Sequence, residues 1–272
     1  ALAYIVGILI AWRVSIRAVS GADLWQGTPP LTKPQLEDLL TWIILGIILG
    51  GRLGFVLFYE PAYYLANPSQ ILKVWQGGMA FHGGFLGVVV ASWVWCVRNG
   101  VSKIAAADTI ALGVPWGLML GRLANFINAE LWGRPSDVPW AMKFPSMCHI
   151  TVLQGCEKAG EWFYTGAELT RHPSQLYQAA LEGALLGLVL LYLAFARGAL
   201  KTRGLVTGVF VAGYGTARFI VEHFRQADAQ FVTPYNPFGH VVLGLTMGQL
   251  LSLPMVFIGV LIILWSKLQR IA

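Results

Sequence analysis

Polar and apolar positions along this chain separate on a long wavelength. Continuous apolar runs lie at about 38–58, 80–97, 107–127, 174–196, 204–224 and 244–265, divided by polar segments. A hydrocarbon core takes roughly 17–25 helical residues to cross, so each run predicts one transmembrane helix. The chain opens on ALAYIVGILIAW, a shorter apolar stretch without the basic start of a signal peptide. It is expected to be the end of a first helix that begins before Ala1. The pattern therefore predicts an all-α integral membrane protein of seven transmembrane helices, a single polytopic membrane domain over residues 1–272. The longest polar segment, 128–173, mixes Trp, Pro, Gly and charge and is expected to fold as a small extracytoplasmic cap, because a structureless loop of that length is uncommon.

Composition agrees with this class and excludes others. With 56% hydrophobic and 12% charged residues and a mean hydropathy of +0.63, the chain is too apolar for a soluble domain of its length. The net charge of +6 forms no basic stripe, which argues against nucleic acid as a partner. The basic residues act as topology signals instead. Arg13, Arg17, Lys33, Arg98, Lys103, Arg197, Lys201, Arg203, Lys267 and Arg270 fall on one side, and Lys73, Arg134, Lys143, Lys158, Arg171 and Arg225 on the other. The richer side is expected to be cytoplasmic, with the N-terminus outside and the C-terminus inside.

Three basic residues are left inside predicted spans: Arg52, Arg122 and Arg218. Counted from the cytoplasmic end of each helix, all three sit about 21–23 Å up the hydrocarbon core. Intramembrane guanidinium groups mark functional sites, and this depth predicts a site for a phospholipid headgroup. Arg122 opens the stretch GRLANFINAELWGR, which adds Asn125 on the same helix face, then Asn128, Glu130 and Arg134. His82 enters the third span from the outside, beside Gly83, Gly84 and Gly87, glycines that serve helix packing equally well.

Plainer readings stand beside these. Arg122 can be satisfied by helix carbonyls or by Asp108 or Glu130; Arg218 has Glu222 one turn later; Arg52 can bond between helices; and a lone histidine at a helix entrance is usually structural. Cys148 and Cys156 lie in the exported loop, where a disulfide is plausible, while Cys96 lies near an inner helix end. No histidine and cysteine spacing suits a metal, and no nucleophile elbow is present.

HGGFLG at 82–87, GRLANFINAELWGR at 121–134, RHPSQLY at 171–177, YGTARFIVEHFRQADAQ at 214–230 and MGQLLSLPM at 247–255 together resemble the bacterial prolipoprotein diacylglyceryl transferases, in order and spacing. The resemblance implies an inner-membrane enzyme that moves the diacylglyceryl group of phosphatidylglycerol onto the lipobox cysteine of an exported prolipoprotein, releasing glycerol phosphate. It implies that His82 is the essential histidine, Arg122 the family arginine and Asn125 its partner. Glu130 and Gly133 match the end of that signature, and Arg218 and Glu222 the pair in the sixth span. Asn128 and Arg52 join the expected substrate-binding set. The family's tyrosine ahead of the first helix falls before Ala1, Gln178 stands where a Glu is common, and the loop 18–34 is longer than usual. No metal or organic cofactor is expected, because phosphatidylglycerol carries its own leaving group. The expected partners are that lipid, signal peptides and the surrounding membrane. On the residues alone, an anion or lipid transporter and a non-catalytic signal-peptide scaffold remain alternatives.

Overall fold

The computed structural model describes residues 2–147, 162–164, 166, 168–227 and 231–271, without the side chains of residues 3, 4, 76, 81, 270 and 271. Long helices stand at every predicted run: α1 (Leu2–Ser20), α2 (Lys33–Phe58), α4 (Phe81–Asn99), α5 (Lys103–Ile127), α6 (Ser174–Ala196), α7 (Leu205–Val221) and α8 (Met247–Ile271), with a short α3 (Pro61–Ala66). Among the described residues, four of them, α2, α5, α6 and α8 over Met247–Gln269, are long and apolar enough to cross a membrane, and α7 is a shorter apolar helix. Leu253, Phe257, Leu261, Leu264 and Leu268 of α8 lie exposed along one helix. Apolar surface of that extent suits lipid rather than water. Among the described residues, strand is confined to two short antiparallel ladders, Ser146–Met147 with Trp162–Phe163 and His240–Val242 with Leu245–Thr246. Cys148 and Cys156 lie outside the described residues.

Contacts divide the chain into two compact units, residues 15–109 and residues 1–14 with 110–272. In the first, α2 starts at a capping box in which Thr32 Oγ1 accepts from Gln35 N (3.3 Å) and Gln35 Oε1 accepts from Thr32 N (2.9 Å). α2 and α4 then cross closely enough for backbones to touch. A Cβ on Gly87 would strike the carbonyl of Gly46, and one on Gly83 the carbonyl of Gly50. Gly83 and Gly87, beside His82, thus serve helix packing. α4 ends at Gly100, whose φ of 64° reverses the chain.

In the second unit, α6 is not a regular α-helix. Residues Ala179–Leu185 and Tyr192–Ala196 are wound as π turns, a winding that tends to accompany functional sites. Gly183 and Gly187 let α6 lie against α5, where added Cβ atoms would stand 2.5 Å from Met119 and 2.9 Å from Trp116. α7 meets α8 in the same manner, with Gly259 lying against the backbone of Ala212.

Candidate active site

α5 ends at the signature stretch, and the chain turns there through left-handed backbone. Glu130 N donates to Asn125 O (3.0 Å) and Ala129 N to Phe126 O (3.0 Å), the paired bonds of a Schellman close, with Ala129 at φ 48°. Few non-glycine residues adopt that conformation. This turn folds the polar side chains back onto the helix end. Arg122 Nη1 donates to Asn125 Oδ1 (3.4 Å), and Asn125 Nδ2 (2.8 Å) and Asn128 Nδ2 (3.3 Å) both donate to Glu130 Oε1. Glu130 therefore orients two carboxamides, and one of these holds the guanidinium.

The same stretch is stitched to the other motifs. Gln175 Nε2 donates to Glu130 O (2.7 Å), Gly133 N to His172 O (2.9 Å) and Arg134 N to Phe224 O (2.9 Å). Gly133 is required by crowding, since a Cβ there would lie 2.5 Å from the His172 carbonyl and 2.6 Å from that of Phe224. RHPSQLY and HFRQ are thus the two walls between which the end of GRLANFINAELWGR is laced.

Arg218, on α7, lies in the same unit. Its Nη2 is 2.8 Å from Glu222 Oε2, the expected pair one turn apart, but its Nη1 has no hydrogen bond among the described residues and stands 3.8 Å from Glu182 Oε1. Glu222 is fixed further by Thr246 Oγ1 (3.2 Å) and by Arg225 Nη1 at 3.9 Å, and Gly248 leaves the room its carboxylate fills. Arg122, Arg218 and Arg225 all lie within electrostatic reach of Glu182 and Tyr214. Three guanidinium groups therefore share one neighbourhood, held by two carboxylates. Such an array can bind a phosphate and stabilise charge that grows on it.

Arg52 does something else. All five of its N–H groups point at backbone carbonyls of the segment after α3: Nε at Ile71, Nη1 at Gly77 and Gly78, and Nη2 at Gln70 and Lys73, between 2.6 and 3.5 Å. The side chain is buried, and its guanidinium also lies over the Tyr64 ring. Expected to touch substrate or a neighbouring helix, Arg52 instead clamps a loop, and this arrangement leaves it no donor for a ligand. His82 stands exposed in the first turn of α4. Both belong to the unit 15–109, and Arg122, Asn125, Asn128, Glu130, Gly133, Arg218 and Glu222 to the other.

Beyond Arg134 a cavity of about 500 Å³ opens between Pro135, His172, His223, Gln226, Pro237 and Phe238. His172 packs edge-on to Tyr177 and Phe224, and its burial pushes the imidazole pKa below the ordinary value, so the ring is neutral at pH 7.

Sequence reasoning passed over Glu182, Arg225 and Tyr214. The signal for two of them was present, because Tyr214, Arg218, Glu222 and Arg225 recur at helical spacing and so share a face. Glu182 stood as a lone acid in an apolar run of spanning length, which is itself a mark of function.

A family model described as prolipoprotein diacylglyceryl transferase matches residues 1–265. The chain is 61% identical to the phosphatidylglycerol–prolipoprotein diacylglyceryl transferase of Ruegeria pomeroyi, covering 98% of this chain and 89% of that one. It is 56% identical to the protein of the same name from Roseobacter denitrificans (97% and 88% covered), and 46% identical to that from Nitrobacter winogradskyi (99% and 85% covered). Matches of that length and identity make this chain a member of the prolipoprotein diacylglyceryl transferase family.

Proposed function

We propose that this protein transfers the diacylglyceryl group of phosphatidylglycerol to the thiol of the lipobox cysteine in exported prolipoproteins, with release of glycerol phosphate. The observation that carries this reading is the shared cluster of Arg122, Arg218 and Arg225, in which Arg218 Nη1 is buried without a hydrogen bond among the described residues. The substrates are those named for relatives that match nearly the whole chain. In this reading the protein spans the bacterial inner membrane seven times, the segment 128–173 caps it outside, and the arginines face the outer leaflet.

The reaction needs a sulfur nucleophile and a phosphate leaving group. The cysteine sulfur forms a bond to the glycerol carbon that carries the phosphate, the carbon–oxygen bond breaks, and the phosphate departs with the electron pair as a monoester. Its negative charge grows as the bond breaks. Guanidinium groups held in place beforehand favour that transition state over the ground state. Arg122 and Arg218 take this role. Asn125, Asn128 and Glu130 position Arg122, Glu222 positions Arg218, and Gly133 keeps the motif walls together. The thiol proton must go to a base, because a cysteine of pKa about 8.5 is mostly protonated at neutral pH. His82 is assigned that part, and Arg52 holds the loop after α3 instead of the lipid.

The test is to incubate purified protein with phosphatidylglycerol and a lipobox peptide and to weigh the peptide. A diacylglyceryl gain in mass is expected, with glycerol phosphate released in equal amount. Peptide binding without gain would indicate a scaffold, and lipid or anion flux without gain a transporter. Arg122→Ala is expected to lower the rate by about 10²–10³ while the protein stays folded, and wild-type turnover from that variant would remove its phosphate role.

A further inference from the structure

Three side chains that line the cavity beside Arg134 each keep a hydrogen-bond donor that meets no acceptor among the described residues. Arg134 donates from Nε to Arg225 O (2.9 Å) and from Nη2 to Phe238 O (3.3 Å), and Nη1 is left over. Gln226 Oε1 accepts from Arg171 Nη1 (3.4 Å); a guanidinium only donates, so this contact fixes the amide's orientation and leaves Nε2 over. His172 is set by a relay. Trp140 Nε1 donates to the Tyr177 hydroxyl oxygen (2.6 Å), and that hydroxyl lies 3.1 Å from His172 Nδ1. The Tyr177 proton is then given to Nδ1, and the neutral ring carries its own proton on Nε2.

His223, on the same wall, has both nitrogens engaged, Nδ1 with Phe219 O (3.1 Å) and Nε2 with Gln249 Nε2 (3.1 Å). Among the described residues no carboxylate lines the cavity. The acid whose charge reaches Arg134 is Glu222, which is already paired with Arg218 at 2.8 Å. A wall of donors, one of them a cation, suits a ligand made of acceptor oxygens and negative charge. The volume of about 500 Å³ is that of a small-molecule site. Arg134 reaches the backbone of Arg225, so the cavity adjoins the arginine cluster.

We propose that this cavity is a second oxyanion site, next to the arginine cluster and separate from it, that takes a small phosphate monoester. The site stands on the three donors. Naming glycerol phosphate as its ligand rests on the proposed transfer reaction, which releases that monoester beside it.

The test is equilibrium dialysis of the purified full chain in detergent against radiolabelled glycerol phosphate, with orthophosphate and glycerol as competitors. Wild type is expected to bind two equivalents, one in the arginine cluster and one in the cavity. Arg134→Gln should weaken the cavity equivalent about tenfold or more, and Gln226→Leu about threefold to tenfold, both leaving the other equivalent in place. Gln226→Leu keeps the contacts of Arg134 with Arg225 and Phe238, so it decides the matter if Arg134→Gln fails to fold. Arg122→Ala should remove the cluster equivalent and keep the cavity one. Orthophosphate should displace the label from both, and glycerol from neither. Two unweakened equivalents in the Arg134 and Gln226 variants, a single wild-type equivalent that Arg122→Ala removes, or displacement by glycerol would overturn the proposal. A single equivalent that Arg134→Gln removes and Arg122→Ala leaves untouched would instead take down the phosphate reading of the cluster, with the cavity site standing.

Discussion

Arg52 and Arg122 carry the same guanidinium into helices of similar apolar character and differ in what meets their N–H groups. Arg52 meets five carbonyls, whereas Arg122 meets one carboxamide oxygen at 3.4 Å and a field of other charges. A guanidinium whose donors are all spent is a fastener, and one with donors to spare can take a ligand. The fastener is specific to arginine, because its planar fork reaches carbonyls on several sides while an ammonium offers three donors from one point. Arg52→Lys should therefore leave two or more of those carbonyls unpaired and lower stability by about 2–4 kcal/mol. Thermal melting in detergent reads this loss, and early protease cleavage within residues 70–78 should accompany it. An unchanged melting temperature would mean that the loop holds itself. That loop explains why the sequence misplaced Arg52. Its partners are backbone carbonyls, which have no signature in side-chain identity, whereas Asn125, Glu130 and Glu222 could be read beside their arginines because side chains at helical spacing are visible in the chain.

At the scale of elements, the positions of the long helices were legible because run length and apolarity are properties of sequence alone. The boundaries moved by a few residues, as with α8, expected at 244–265 and found at Met247–Ile271. The π turns of α6 were not legible, since nothing local in AALEGAL departs from an ordinary helix. The α2–α4 crossing is the element-level feature most open to test. Gly84 and Gly87 lie one turn apart, yet a Cβ on Gly84 would find nothing closer than Ile47 O at 3.6 Å, while one on Gly87 would strike the Gly46 carbonyl. Gly84→Ala should be neutral or should stabilise by up to about 1 kcal/mol through helix propensity. Gly87→Ala should cost about 1–3 kcal/mol as the helices are forced apart. Equal melting temperatures for the two variants would show that the helices do not approach as closely as described.

For the whole molecule, the remaining question is which way the chain is threaded. Orientation comes from charge, not from packing: ten basic residues on one face of the predicted topology against six on the other, the longer segment 128–173 belonging to the poorer face. The proposed chemistry depends on that orientation, because an exported prolipoprotein offers its cysteine from outside and the arginines must meet it there. The loops give suitable reporters. Tyr235 is 99% exposed between α7 and α8, and Lys201 is exposed between α6 and α7. In a variant stripped of Cys96, Cys148 and Cys156, Tyr235→Cys should react with a membrane-impermeant maleimide once the outer membrane is opened and the inner membrane left intact. Lys201→Cys should react only after the inner membrane is dissolved. The reverse labelling would place the arginine cluster on the cytoplasmic side, where exported cysteines do not arrive, and the transfer reaction would have to be read differently even though the family membership stood.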